Sequence, residues 1–303
     1  MEPVYQTNRK TFSGLSSTLT WKRIRKAFLR DKLLWLLVMP GVLWYLLFAY
    51  SPMYGLVIAF KDFQPFKGIA ASPWVGFQWF EQFFNTYYFW RLLRNTLLLN
   101  IYSLIWGFPA PIIFALLLNE IMHKKFKRIA QTISYLPYFL STVVVVGIVV
   151  NFVSPTSGLI NRVITSLGGD AINFIIMPEW FRTLYISSDI WQGLGWGSII
   201  YLAALSGIPM ELYEAATMDG ANKLQKVWHV TLPSIAPTII ILLILSLGGM
   251  LSVGYEKIIL MYNAQTYETA DVINSYVYRR GVAGGEYSFG TAVGLFQIGR
   301  AHV

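Results

Sequence analysis

Five stretches of this chain, residues 33–60, 92–118, 135–152, 184–208 and 238–253, carry at most one charged side chain each. Each is close to or beyond the roughly 20 apolar residues that span a bilayer core. Inside lipid, a backbone N–H or C=O has no water to bond, so such segments are confined to helix. The expected fold class is therefore all-α, a polytopic membrane protein. Composition agrees: 55% of the 303 residues are apolar and 13% charged, which excludes an ordinary soluble domain. The net charge of +9 fits basic loops on the inner side of a membrane rather than contact with nucleic acid. With no cysteine, a disulfide, a thiolate metal site and a thiol nucleophile are all excluded.

Residues 1–32 hold eight Lys/Arg against Glu2 and Asp31. They form a basic segment, with Trp21, Ile24 and Phe28 on one helical face, suited either to an anionic inner leaflet or to anchoring the first span. The apolar run starts too late for a secretory signal. Eight Lys/Arg in 1–32, four in 119–134 and two in 209–237 face nine at the segments between them, a moderate bias that puts the N-terminus in the cytoplasm. The outer segments are then 61–90, 154–182 and 255–287. The first is crowded with aromatics from Phe63 to Trp90, expected as an interfacial belt. Gly107, Pro109 and Pro111 predict a kink in the second span. Gly168, Gly169 and Pro178 act as breakers in the second outer segment.

A sixth apolar stretch opens at Ser288 but loses its character after Gln297, too short to cross. Residues 298–303, Ile-Gly-Arg-Ala-His-Val, match one frame of a sequencing adapter (ATC GGA AGA GCA CAC GTC TGA) and are expected to be a non-native scar.

Between the fourth and fifth spans lies a polar island, residues 209–233. Pro209 suits the first turn of one short helix. Asp219 and Gly220 end that helix, Gly accepting the left-handed C-cap conformation. Asn222 and Gln225 have capping-box spacing for a second helix, which Pro233 is expected to stop.

The island resembles the cytoplasmic Glu-Ala-Ala loop of binding-protein-dependent ABC import permeases. The family's spaced pattern stands here as Glu214-Ala215-Ala216, Gly220, then Val230-Thr231-Leu232-Pro233, with Val in place of Ile as the one departure. Pro52-Met53-Tyr54-Gly55, Ser72-Pro73-Trp74-Val75-Gly76-Phe77, Gly107-Phe108-Pro109-Ala110-Pro111 and Trp196-Gly197-Ser198 extend the resemblance over residues 33–297. They point to the carbohydrate-uptake, maltose-type branch, and within it to polysaccharide and oligosaccharide permeases. The resemblance implies a six-span type I importer fold, here with its sixth span truncated, in the bacterial plasma membrane. It implies three partners besides lipid: a second homologous permease, an ATPase dimer and an extracellular sugar-binding lipoprotein. Glu214, Ala215, Ala216, Asp219, Gly220, Leu232 and Pro233 would couple to the ATPase. ATP and Mg would be bound by that partner, and no cofactor is expected in this chain, which lacks the G-x-x-x-x-G-K-[ST] loop.

Polar residues inside spans are costly against lipid and so mark a solute path. Asp189, Trp191 and Gln192 supply a carboxylate, an aromatic face and an amide. Asn100, Asn151 and Glu256 are weaker candidates. A permease for a non-sugar solute, and a membrane enzyme or scaffold, stand as alternatives. The scattered histidines His123, His229 and His302 and the absence of H-E-x-x-H or G-x-S-x-G speak against catalysis.

Overall fold

The computed structural model describes residues 30–249 and 253–301, the last four by backbone alone. The basic stretch around Trp21, Ile24 and Phe28, the end of the expected fifth span at 250–252, and residues 302–303 lie outside the described residues. In chain order the helices are α1 (Lys32–Phe60), α2 (Gln78–Phe84), α3 (Phe89–Glu120), α4 (Lys124–Phe139), α5 (Thr142–Val153), α6 (Leu159–Ser166), α7 (Pro178–Ser206), α8 (Met210–Met218), α9 (Lys223–Gly248), α10 (Tyr255–Met261), α11 (Tyr267–Ala270), α12 (Ile273–Val277) and α13 (Tyr287–Ala301), with a further helical turn at Gly68–Ala71 and a wide one at Tyr278–Ala283. The one β feature among the described residues is an isolated bridge between Lys61 and Trp74.

The chain divides into two compact units, residues 1–56 and 57–303. In the first, no residue from Lys32 to Met53 is buried. Leu37 is 80% exposed, as befits a helix meant for an apolar solvent.

Among the described residues, α1, α3 and α9 are each long and apolar enough to cross a membrane. Two bent pairs, α4 with α5 at 107° and α7 with α8 at 72°, pass the same test together and bring the number to as many as five where each pair is one span. The expected third span is therefore not one rod. Its basic lead-in is helical from Lys124, and the chain breaks at Leu140 before restarting at Thr142, with the Ser141 hydroxyl accepting from Val144 N. At 1.5 Å per residue, α5 alone is about 18 Å long, short of the hydrocarbon core. Pro178 is not a breaker either. It opens the 29-residue α7, where a missing N–H leaves nothing unpaired.

Prolines inside the three long helices bend the ladder rather than end it. Wide turns cover Tyr45–Tyr50, Ser103–Gly107 and Val227–Thr231, and each finishes two residues before a proline: Pro52, Pro109 and Pro233. In each, the residue before the proline donates five residues back, as Phe108 N does to Ser103 O at 3.0 Å. A proline ring collides with the carbonyl four residues earlier. The wider turn moves that carbonyl aside. So Pro233 does not stop the second helix of the island: the chain runs unbroken from Lys223 to Gly248. The same device carries α3 through Gly107, Pro109 and Pro111 as one 32-residue helix.

Helix α7 is the hub of the second unit, packing on α3, α4, α9 and α11. Close approach rests on Gly195, where a Cβ would lie 2.2 Å from Ser134 O of α4. One buried cluster joins Tyr201 and Leu205 of α7 to Ile112 and Ala115 of α3 and Ile235 of α9. Another joins Phe181, Tyr185 and Ile186 to Ile258, Met261 and Val272.

The aromatics of 61–90 are divided rather than forming a belt throughout. Phe83 and Phe89 are buried with Phe289 and Tyr276 of the C-terminal helices. Phe83 meets Phe89 edge-on at 5.2 Å and Phe289 at 6.3 Å. Such pairs contribute about 0.5–1.5 kcal/mol each beyond burial. Phe66, Tyr87 and Trp90 remain exposed.

Candidate functional site

Two places gather the polar groups that the apolar fold leaves over. The first is the elbow after α7. Pro209 is the N-cap of α8, one position before the expected first turn. The end of α8 is a Schellman arrangement: Ala221 N donates to Ala216 O at 2.9 Å and Gly220 N to Thr217 O at 3.0 Å. Gly220 sits at φ +76°, with nothing within 4 Å of where its Cβ would be. Asn222 and Gln225 then form the capping box that opens α9, at 2.7 and 2.9 Å. Tyr213 Oη and Thr231 Oγ1 meet at 3.0 Å, and Lys226 Nζ donates to Thr217 Oγ1 at 2.8 Å, folding the elbow on itself.

The elbow is a surface. No residue of α8 is buried, and Met218, Leu224 and Trp228 are 88%, 72% and 67% exposed. Ala215, Ala216, Asp219 and Gly220 line a shallow hollow of about 460 Å³ with Gln225 and His229. Glu214 and Pro233 are exposed outside it, and Leu232 packs against the α3–α7–α9 cluster. Apolar side chains held out in this way mark a partner surface.

The second place is a cavity of about 540 Å³ between α3, α7 and α9. Its α7 wall is Asp189, Gly193, Gly197 and Tyr201, one face at four-residue spacing. A smaller cavity of about 230 Å³ adjoins it through Asn100, Ser103 and Asp189, which line both. Among the described residues, Asp189 is the one carboxylate lining either. Its oxygen takes a hydrogen bond from Lys257 Nζ of α10 at 2.5 Å. Lys257 is buried, its ammonium 5.2 Å from the Tyr185 ring centre, whereas the Asp189 side chain is 39% exposed. Burial pushes the Lys257 ammonium below its ordinary pKa, and the charge and hydrogen bond of Asp189 push back.

Of the three path candidates, the structure places only Asp189 on these cavities. Trp191, about 200° further round α7 at 100° per residue, is 42% exposed away from them. Gln192 reaches back to Leu140 O at 3.2 Å, satisfying a carbonyl freed by the α4–α5 break. Asn151 bonds its own helix at Gly147 O, and Glu256 is exposed.

Sequence reasoning missed Lys257, counting it as an ordinary outer charge. It also missed a buried network on the N-terminal side of the cavities. Asp271, fully buried, holds Arg279 by two hydrogen bonds of 3.1 and 2.7 Å and accepts from Ser275 Oγ at 2.8 Å. Burial opposes the Arg279 charge, but Asp271 outweighs it and raises the guanidinium pKa. Asn95, also fully buried, donates to Glu268 O and Asp271 O and accepts from Arg182. The available signal was an acid, two arginines and tyrosines close together in residues 271–280.

Residues 107–254 match the family described as binding-protein-dependent transport system inner membrane component. Protein LplB of Bacillus subtilis is 48% identical over 89% of this chain and 85% of its own length. The polygalacturonan/rhamnogalacturonan transport system permease protein YteP of the same organism is 46% identical over 91% of this chain and 86% of its own. The crystal structure of a bacterial alginate ABC transporter, in complex with an alginate pentasaccharide-bound periplasmic protein, contains a chain that superposes with TM-score 0.85 at 45% identity, covering 92% of this chain and 93% of that one.

Proposed function

The chain belongs to the family of inner membrane components of binding-protein-dependent transport systems, and from that premise we propose that it is the permease subunit through which an ATP-driven importer takes up oligosaccharides or polysaccharide fragments. Of the relatives named above, YteP carries polygalacturonan and rhamnogalacturonan in its description, and the solved transporter carries alginate. The family is one of transport proteins, not enzymes.

The observation that carries the reading is the elbow. It is a short helix turned 72° out of the central helix, closed by its own caps, and presenting Glu214, Ala215 and exposed apolar side chains to a partner. Because α9 runs unbroken from the capping box at Asn222 to Gly248, a push on the elbow can pass along one helix to Leu242, Leu245 and Ser246 on the cavity wall. In this proposal an ATPase dimer docks on the elbows of this chain and a second homologous permease. Closing of the ATPases on ATP and Mg moves α9 and α7 against each other. An extracellular sugar-binding lipoprotein then delivers cargo to the cavity from the opposite side of the bacterial plasma membrane. The N-terminus and residues 1–32 lie with the elbow in the cytoplasm. Asp189 is the first candidate to accept cargo hydroxyls, with Trp191 and Gln192 as the weaker members of the trio.

The test is ATP-dependent uptake of labelled oligosaccharides by the assembled complex in proteoliposomes. Gly220→Asp places a charge in the hollow and a side chain at a left-handed position. It should release the ATPase and abolish uptake while the spans stay folded. ATPase copurification and uptake at wild-type level would remove the coupling role. Unchanged uptake affinity in Asp189→Asn and Trp191→Ala would remove the substrate path.

A further inference from the structure

Beyond the cavities, a hollow of about 580 Å³ opens between α3, α11 and α12, and its lining differs in kind from theirs. Three guanidiniums and three phenols share it: Arg91, Arg279 and Arg280 with Tyr88, Tyr267 and Tyr276. Arg91 lies 4.6 Å from the Tyr88 ring centre, Arg279 4.5 Å from Tyr267 and Arg280 5.8 Å from Tyr276. Glu268 is the one acid on the lining, so the accessible face is cationic.

The three arginines are not equally committed. Arg279 is held by both oxygens of Asp271, and Arg280 by Glu286 and by the Tyr276 hydroxyl. Arg91 reaches Asp271 only at 3.7 Å, and its Nε is buried without a hydrogen-bond partner among the described residues. A buried guanidinium N–H left open is costly and calls for an acceptor. Asp271 does not supply it: Arg91 approaches Oδ2 through Nη2, at 3.7 Å, and not through Nε. The planar fork of arginine fits a carboxylate by two parallel bonds, and phenol rings offer flat apolar faces to the C–H side of a pyranose.

The hollow and the cavities lie at successive levels of α3, about 180° apart around it from Arg91 to Asn100 at 100° per residue. Arg91, Asn95, Asn100 and Ser103 follow one another along α3: Arg91 lines the hollow, Asn95 the buried network, Asn100 and Ser103 both cavities. The nine residues from Arg91 to Asn100 span about 14 Å of helix. We propose that this arginine–tyrosine hollow is a vestibule site for the carboxylate of an acidic saccharide, held by Arg91 before the chain enters the cavity beside Asp189. The site rests on the reading that the cargo is a saccharide, and it narrows that cargo to uronate-containing chains.

Two probes of equal length test it: tetragalacturonate and its carboxyl-reduced, neutral counterpart. Each is titrated calorimetrically, without binding protein, onto the assembled transporter in nanodiscs. The wild type should bind the charged probe. Arg91→Gln should weaken that binding about tenfold, the size of one charge-assisted hydrogen bond, and carboxyl reduction should do the same. Arg91→Lys, which keeps the charge but loses the fork, should fall between, and it carries the test if Arg91→Gln fails to assemble. No binding by wild type, equal binding of both probes, or binding of the charged probe unchanged by these substitutions would each overturn the site. If Arg91→Gln instead leaves free-probe binding intact and slows uptake of both probes alike from the loaded binding protein, the anion met by Arg91 belongs to that protein, and the proposal fails. Uptake of the neutral probe by wild type separates the two levels. Its persistence with no charged-probe binding leaves the permease reading standing alone. Charged-probe binding without uptake of either probe removes the permease reading and keeps the site.

Discussion

The elbow and the arginine-rich end are both built from polar groups, yet they are tied in opposite ways. The elbow's capping bonds join residues three to five apart, and its longest side-chain hydrogen bond, Tyr213 to Thr231, spans 18; its tie to a distant helix is a loose, exposed ion pair of Lys223 with Glu120 at 3.9 Å. At the arginine-rich end, Asn95 bonds Arg182 across 87 residues, Glu268 O across 173 and Asp271 O across 176. No residue of α8 or of the capping box is buried; Asn95 and Asp271 are fully buried. A locally closed, exposed structure can be altered without disturbing the fold and is free to serve a partner. A buried network drawn from three helices holds those helices in register, and altering it disturbs them first. Substitutions of similar size at the two places should therefore differ in what they damage.

The largest effect is expected at Asp271. Asp271→Asn keeps the shape but leaves the half-buried Arg279 beside a neutral amide; breaking one side of a fully buried pair costs about 3–5 kcal/mol, and this one, with the Arg279 side chain 29% exposed, should cost toward the lower end. Thermal unfolding of the purified complex should show it as a drop of several degrees. Adding Arg279→Gln should recover part of the loss, since the buried charge is then gone. A melting temperature equal to wild type for Asp271→Asn would break the comparison outright. Next comes Asn95→Ala, which frees two carbonyls and an Arg182 N–H; each unsatisfied buried group costs about 1–3 kcal/mol. The same measurement checks it, and a loss smaller than that from any elbow substitution would count against a structural role for the network.

The contrast also explains what was legible beforehand. Gly220, the Asn222–Gln225 box and the Asp219 cap could be placed from spacing because their bonds close within a turn or two. The apolar segments were legible because lipid admits only helix. Lys257 was not, because its meaning depends on Asp189, 68 residues away. The continuity of α9 through Pro233 was hidden because the relief comes from a wide turn at Val227–Thr231 that no residue type announces. The break at Leu140 has two local signs, Pro137 in the tight turn just before it and Ser141 in N-cap position ahead of the valine run, and neither alone announces a bend. Asp189 was found as an intramembrane acid, but its grouping with Trp191 and Gln192 followed sequence adjacency, and neighbours on a helix point to different sides.

At the elbow, Asn222→Ala removes the acceptor for Gln225 N and should cost about 1 kcal/mol. The loss should be confined to the start of α9, because neither residue of the box is buried. Hydrogen exchange should speed up at residues 223–226 while the melting temperature of the complex stays put. Faster exchange spreading into residues 232–248 would mean that the elbow and the span unfold as one unit, and the separation of local from global ties would fail.

The smallest stability effect, and the sharpest comparison with Asp271→Asn, belongs to Glu214→Gln. Glu214 is exposed and makes no salt bridge among the described residues, so the substitution should shift stability by less than about 0.5 kcal/mol. What it removes is one charge from a face that has no role within this chain. If that face docks an ATPase, the ratio of sugar imported to ATP hydrolysed should fall while melting and expression remain at wild-type level. Asp271→Asn should do the reverse, lowering the amount of folded complex while the molecules that remain keep their ratio. Two acid-to-amide changes, alike in chemistry, would then separate partner contact from helix register by which of the two readouts each one moves.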